Sequence, residues 1–142
     1  MAALTADRIT KSRATGRSFT GDVAAATTIY LGSLVAKNAA GYIVPAADTA
    51  GLVVVGVAMA AVDNSAGGNG DLTVTIMTGV FRLENAAGAI VQASKHGLCY
   101  VADDQSVSTA AAMTNDVVAG IVDAIDTDGV WVAVGPEYGA LA

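Results

Sequence analysis

The one histidine of the chain, His96, lies in the polar stretch Ser94-Lys95-His96-Gly97. A serine or cysteine nucleophile needs a base within hydrogen-bond reach, and no serine stands in the Gly-x-Ser-x-Gly pattern that exposes a nucleophile at a sharp turn. His96 and Cys99 have the spacing of two metal ligands, but a structural zinc site takes four ligands and the sequence has no second pair. We therefore expect a solvated turn histidine and a cysteine that acts as a small buried apolar side chain.

The carboxylates form no better constellation. Asp126-Thr127-Asp128-Gly129 begins like a calcium loop, with Glu137 at the twelfth position. Such a loop requires glycine where Trp131 stands and an oxygen ligand where Val130 stands, so an acidic β-turn is the better interpretation. Asp103-Asp104 are neighbours that either point to opposite faces of a strand or lie in a turn, so they form no acid/base pair. We therefore predict a protein that is not an enzyme and that holds no cofactor or metal.

Composition indicates one domain with a core of small residues. The chain has 142 residues, of which 54% are apolar, mostly Ala and Val, and only 5% aromatic. This length is typical of a single domain. Its longest apolar run is shorter than the roughly 20 residues of a spanning helix, and the first residues lack the apolar region of a secretory leader. We therefore expect synthesis in a cytoplasm and no contact with a membrane.

Charge is divided unevenly along the chain. The first 20 residues carry four basic side chains and one acidic (4 − 1 = +3), whereas the remainder carries three basic and 12 acidic (3 − 12 = −9), which together give −6. The sequence therefore predicts a basic, flexible arm over residues 1–20 and a single β domain over residues 21–142. Such an arm is either a solvated terminus or a segment that orders on an acidic protein surface. Nucleic acid is a weaker candidate partner, because phosphates repel the acidic body.

From about residue 19 onward, short β-branched runs alternate with glycine-containing turns. Leu72-Thr73-Val74-Thr75-Ile76 alternates strictly, and its three apolar side chains are expected on one face. The continuous apolar run over residues 52–58 predicts a strand that is buried on both faces. Asn69-Gly70 at the end of the loop from Asp63 to Gly70 is typical of a β-hairpin. These patterns predict an all-β fold, a small barrel or sandwich of short antiparallel strands.

The sequence also suggests an internal repeat, with residues 32–76 aligned on residues 97–134 at a shift of about 64. Val55-Gly56-Val57 matches Ala119-Gly120-Ile121, and residues 70–74 match residues 128–132, whereas Tyr42-Ile43-Val44 has no strict counterpart. Two β-modules that share one core would explain the repeat. Chance similarity within a chain rich in Val, Ala and Gly is the alternative.

Several of these segments resemble the capsid cement, or head decoration, proteins of tailed phages. The resemblance covers roughly residues 21–135 and lies in Gly79-Val80-Phe81-Arg82-Leu83, Gly97-Leu98-Cys99-Tyr100-Val101, Val118-Ala119-Gly120-Ile121-Val122, Val130-Trp131-Val132-Ala133-Val134 and, in the first half, Gly32-Ser33-Leu34-Val35 and Val54-Val55-Gly56-Val57-Ala58. The basic extension before Phe19 and the loop from Asp63 to Gly70 depart from the leanest members of that family.

The resemblance implies a structural virion protein on the capsid exterior that bridges neighbouring major capsid subunits, usually as a homotrimer and sometimes as a dimer. It implies no catalytic residues. We expect the arm to contact the major capsid protein through Arg8, Lys11, Arg13, Arg17 and Phe19. We expect the larger apolar side chains to be core or oligomer anchors, with the core favoured, namely Phe81, Leu83, Trp131 and Val132.

Two alternatives remain from the sequence. One is a carbohydrate- or receptor-binding β-module of a virion surface or fibre, although seven aromatic residues spread over the chain are a poor supply for exposed sugar platforms. The other is a compact trimeric all-β nucleotide hydrolase, for which the chain lacks an acidic water-activating motif beside a tyrosine loop.

Overall fold

A computed structural model describes residues 2–136, without the side chains of residues 13–16. The protein is all-β, with 47% of residues in strands and only three short 3-10 turns within the described part. None of its described helical segments is long and apolar enough to cross a membrane. In chain order the strands are β1 (Ser12–Asp22), β2 (Thr27–Ile29), β3 (Leu34–Lys37), β4 (Ile43–Pro45), β5 (Val53–Ala58), β6 (Val62–Asn64), β7 (Thr73–Asn85), β8 (Leu98–Val101), β9 (Ser106–Ser108), β10 (Val118–Asp126) and β11 (Gly129–Val134).

Five strands close into a small barrel in the second half of the chain. Their order is β7-β9-β8-β10-β11, and the pairing of β11 with β7 completes the ring. All pairs in this ring are antiparallel except β7–β9. Closure pairs both edges of every strand, which removes the exposed edges that promote aggregation.

The first half of the chain forms a similar ring of strands, which uses the N-terminal part of β7. Strand β7 pairs with β5, β5 with β3, and β3 with β4. A parallel bridge between Val23 and Ile43 then joins β4 to the residue after β1, and β1 pairs with β7. We call residues 17–77 the first module and residues 79–134 the second module. The short β2–β6 ribbon is an addition to the first module.

Strand registers show that the two modules are a true repeat. Three of the four pairs between β3 and β5 recur between β8 and β10 when 64 is added to both residue numbers, and the bulge lies at the same position. In the first module these pairs are Leu34–Val57, Val35–Gly56 and Ala36–Val54, and in the second they are Leu98–Ile121, Cys99–Gly120 and Tyr100–Val118. The predicted repeat near a shift of 64 is therefore confirmed. The same shift brings Val44 onto Ser108 and Ile43 onto Val107, so β4 has a counterpart in β9 that the sequence did not reveal.

In the last strand of each module, the observed pairing differs by two residues from the alignment made on the sequence. Ala58 pairs with Ile76 in the first module, and its counterpart Val122 pairs with Val132 in the second. Val74 therefore corresponds to Val130. The alignment made on the sequence placed Leu72 at that position instead. Side chains repeat every two residues along a strand, so a shift of two preserves the apolar pattern and cannot be detected from it.

Each module encloses its own apolar cluster. The interior of the first module is formed by Val23, Ile29, Val35, Ile43, Val55, Ala58, Val74 and Ile76, with Phe19 packed against them. The interior of the second module is a larger cluster that includes Phe81, Leu83, Cys99, Val107, Ala119, Val122, Val130 and Val132. Members of the two sets correspond through the repeat, for example Val35 to Cys99 and Ile76 to Val132.

The sheet of β3 and β5 is buried on both faces. Val55 and Ala58 face the interior of the first module, whereas Val54 and Val57 belong to the cluster that fills the second. The prediction of a doubly buried strand over residues 52–58 is confirmed for Val54–Ala58, while Leu52 and Val53 are half-buried. One thin sheet therefore separates the two interiors.

Two local expectations were wrong. The flexible arm instead includes an 11-residue strand, β1, which pairs antiparallel with β7. Asn69-Gly70 does not form a hairpin, since β6 pairs with β2 while β7 pairs with β1. The side chain of the buried Asn64 donates to the carbonyls of Ala24 and Gly68 and so holds this loop against the start of the first module.

Gly120 lies where β10 passes close to β11, so a side chain there should be costly. A Cβ atom at Gly120 would overlap the carbonyl oxygen of Ala133, and at the corresponding Gly56 it would lie 2.7 Å from the carbonyl oxygen of Met77. We predict that Gly120→Ala lowers the free energy of unfolding by at least about 2 kcal/mol, because backbone must shift to remove the overlap. Gly97→Ala is the matched control, since its Cβ would meet only ordinary contact at 3.4 Å. Chemical denaturation measures both, and equal stability of the two variants would contradict the close approach.

Candidate interaction surface

The basic N-terminal segment is the candidate functional site, and it lies along the body of the protein. The backbone N–H of Arg8 donates to the carbonyl of Leu31 over 2.7 Å, and the hydroxyl of Thr10 donates to the carbonyl of Gly32. The backbone N–H of Arg82 donates to the carbonyl of Lys11 at the entrance to β1. Residues 8–11 are thus tied to both modules before the strand begins.

Arg8 meets acidic groups of its own chain. Its half-buried guanidinium lies within electrostatic reach of Glu84, Asp103 and Asp104, and burial is the main cause that lowers its pKa. Asp104 is 2% exposed, and its Oδ1 accepts a hydrogen bond from the backbone N–H of Leu4 at 2.8 Å. The uneven charge of the sequence is therefore partly neutralised within the molecule, and Arg8 is poorly placed to contact a partner.

The other basic residues of the segment are placed differently. Lys11 is exposed, and so is Arg17, whose guanidinium lies 4.8 Å from the centroid of the Phe19 ring. Phe19 is half-buried against the interior of the first module, at the position that corresponds to Phe81. The side chain of Arg13 lies outside the described residues. Lys11 and Arg17 are therefore the basic side chains that this surface presents to solvent within the described part.

The predicted anchors divide between the core and the outside of the barrel. Phe81, Leu83 and Val132 are buried in the interior of the second module. Trp131 is half-exposed instead, because it alternates with the inward-facing Val130 and Val132 along β11. Its indole N–H donates to a carboxylate oxygen of Asp126 at 2.8 Å, and its ring lies 5.9 Å from the guanidinium of Arg82.

Asp126 closes the turn between β10 and β11. Its Oδ1 accepts hydrogen bonds from the backbone N–H groups of Asp128 and Gly129, and together with the indole these bonds lower the pKa of the carboxyl. Asp128 forms an exposed ion pair with Arg82 at 3.4 Å. The acidic β-turn is confirmed. Its carboxylates accept hydrogen bonds within the turn and form an ion pair with the neighbouring strand β7. Glu137 lies outside the described residues.

The candidate catalytic and metal residues are far from forming a site. Cys99 is buried, and burial raises the pKa of its thiol to about 12, whereas His96 is an exposed turn residue with φ of 67°. His96 corresponds to Gly32 in the repeat. The backbone N–H of His96 donates to the carbonyl of Val122, and that of Gly32 donates to the carbonyl of Ala58. Within residues 2–136, no three His, Cys, Asp or Glu side chains are arranged to hold a metal ion.

Sequence reasoning missed two carboxylates that join distant parts of the chain, Asp48 and Asp104. Asp48 accepts hydrogen bonds from the backbone N–H groups of Thr114 and Asn115, which join the first module to the second and lower the pKa of Asp48. Asp104 lies with Asp103 between β8 and β9, in a turn, which is one of the two placements that the sequence allows. Its real role depends on a contact 100 residues away in sequence, which local patterns do not record.

Asp104 should make stability depend on pH in a way that identifies it. Burial, the largest cause, and the nearby Asp103 raise the pKa of Asp104, so the folded state binds its proton more tightly than the unfolded state does. The contribution of this group is therefore fully present below the unfolded pKa of Asp and is lost as the pH rises through the raised folded pKa. We predict that the free energy of unfolding of the native chain, relative to Asp104→Asn, falls as the pH rises through that window. Denaturant unfolding of both proteins over the acidic range tests this, and parallel pH profiles would contradict it.

Comparison with known proteins gave no relative: no protein-family model matches the chain, and no match was found among curated proteins or solved structures.

Proposed function

We propose that this protein decorates and stabilises the outer surface of a phage icosahedral capsid by bridging major capsid subunits. The proposal begins from the resemblance of residues 21–135 to capsid cement proteins. The structural observation that carries it is the exposure of two basic side chains, Lys11 just before β1 and Arg17 on β1 beside the half-buried Phe19, on a body whose net charge is acidic.

Strand β1 has the physical features of an attachment edge. Among the described residues, its strand pairing is with β7 alone, so no described strand pairs with its second edge. An extended segment of another protein can add to such an edge through main-chain hydrogen bonds. The basic side chains favour an acidic partner surface, and the acidic body disfavours nonspecific contact with nucleic acid.

A decoration protein of this kind would stabilise the shell by binding to it, with no catalysis. A protein that binds only the assembled shell stabilises it by about 2.7 kcal/mol per site at a hundredfold excess over its dissociation constant. Oligomers on a repeating lattice gain further, because the second and third contacts become intramolecular. The two-module body, with both interiors closed by strands, provides a rigid spacer between such contacts.

Reconstitution tests the proposal directly. Purified protein mixed with empty, expanded heads that lack it should bind in a fixed ratio to the major capsid protein and should raise the melting temperature of the heads. Unexpanded heads are the control, because a shell-specific decoration protein distinguishes the two lattices. Absence of binding to expanded heads would overturn the proposal.

Charge reversal at Lys11 and Arg17 tests the attachment edge. The double variant Lys11→Glu, Arg17→Glu should bind heads about tenfold more weakly at low salt, since two exposed charge pairs contribute together about 1.4 kcal/mol. Lys37→Glu is the matched control, because Lys37 is an exposed lysine on β3 outside the segment. Equal weakening by the control, or affinity that does not change with ionic strength, would show that β1 is not the attachment edge.

A further inference from the structure

The outside of the second module carries a band of apolar side chains across neighbouring strands. Leu98 on β8 pairs with Ile121 on β10, which pairs with Ala133 on β11, so the three side chains point to the same side. Tyr100 and Val118 form the next pair on that side. Ala133 is buried, at 8% exposed, so we call Leu98, Tyr100, Val118 and Ile121 the β8–β10 outer face. Leu98 is 39% exposed, and Tyr100, Val118 and Ile121 are half-exposed.

The repeat identifies a buried counterpart of this face in the first module. Subtracting 64 converts Leu98, Tyr100, Val118 and Ile121 into Leu34, Ala36, Val54 and Val57. All four residues of the first module are 0% exposed. They are covered by the second module, since they belong to the same cluster as its interior side chains Val101 and Val107. The same structural surface is therefore an interface in one module and exposed in the other.

Repetition of the fold also indicates what covers the exposed face. Within the chain, the face of the first module is covered by another copy of the same module. A third module is absent from the described residues, but a second copy of this chain supplies one. The four side chains of the face are uncharged, so the net charge of −6 does not concentrate repulsion there. Asp123 occupies the position of Met59, which places a charge at the rim, as is usual for interfaces between separately folded chains.

From this correspondence, we propose that the β8–β10 outer face is the surface on which a second copy of this chain docks. The contact joins the outer face of one copy to a different surface of the next, so it is heterologous and closes into a small ring when the rotation permits. The inference concerns the chain alone and goes beyond the capsid proposal, because it holds whether or not the protein binds a shell.

Sedimentation velocity of the full chain tests the docking surface. The native chain should associate as its concentration rises, and Leu98→Asp should weaken association by at least about tenfold, because a carboxylate would be buried without a partner. Leu72→Asp is the matched control: Leu72 is a leucine of similar exposure, 43%, that lies outside the face. A native chain that stays monomeric, or equal effects of the two variants, would overturn the proposal.

A second measurement keeps the test valid if Leu98→Asp does not fold. A photo-crosslinking amino acid at position 98 should capture a second copy of the chain in the absence of any other protein, and the same group at position 72 should not. Peptide mapping of the product then locates the surface of the other copy. Capture only when empty heads are added, with a head protein in the product, would assign the face to the capsid and contradict self-docking.

Discussion

Both modules depend on the continuity of β7. Its first residues pair with β1 and β5 and close the first module, while the residues from Gly79 onward pair with β11 and β9 and close the second. A slip of one residue in this strand would turn apolar side chains outward in both interiors at once. Gly79, with φ of 145°, stands at the transition, and Gly135, with φ of 140°, occupies the corresponding place at the end of β11.

The thin sheet between the two interiors explains the unusual composition. Strands β3 and β5 are buried on both faces, and side chains there must fit between two clusters in a small protein. Val and Ala fill such a layer with little volume, and Gly56 and Gly120 allow β5 and β10 to approach β7 and β11 closely. Larger aromatic residues are confined to places where a module has room, such as Phe81, or to the outside of the barrel, such as Trp131. The abundance of small apolar residues is therefore a consequence of two cores that share one wall.

The sequence predicted what depends on period and composition, and it missed what depends on distant contacts. The all-β class, the doubly buried strand and the repeat follow from alternation, glycine position and self-similarity, which are local. The register of the final strand was displaced by two residues because a period of two cannot distinguish Leu72 from Val74. Charge asymmetry predicted that the N-terminal segment could order on an acidic surface of another protein. It could not indicate that Glu84, Asp103 and Asp104 of the same chain supply some of them, since folding alone brings Arg8 to these residues.

The two proposed contact surfaces, the basic N-terminal segment and the β8–β10 outer face, differ in the force that drives binding. Attraction between the exposed basic side chains of the segment and an acidic partner is screened by salt. Burial of the β8–β10 outer face is driven by apolar area and strengthens in salts that favour such burial. Contacts of a chain with its own copies and with a foreign surface can therefore change independently with ionic strength. If both proposed contacts exist, copies already joined through the outer face would present several β1 edges at once, and weak salt-sensitive attachment at each edge would add up to tight binding of the group.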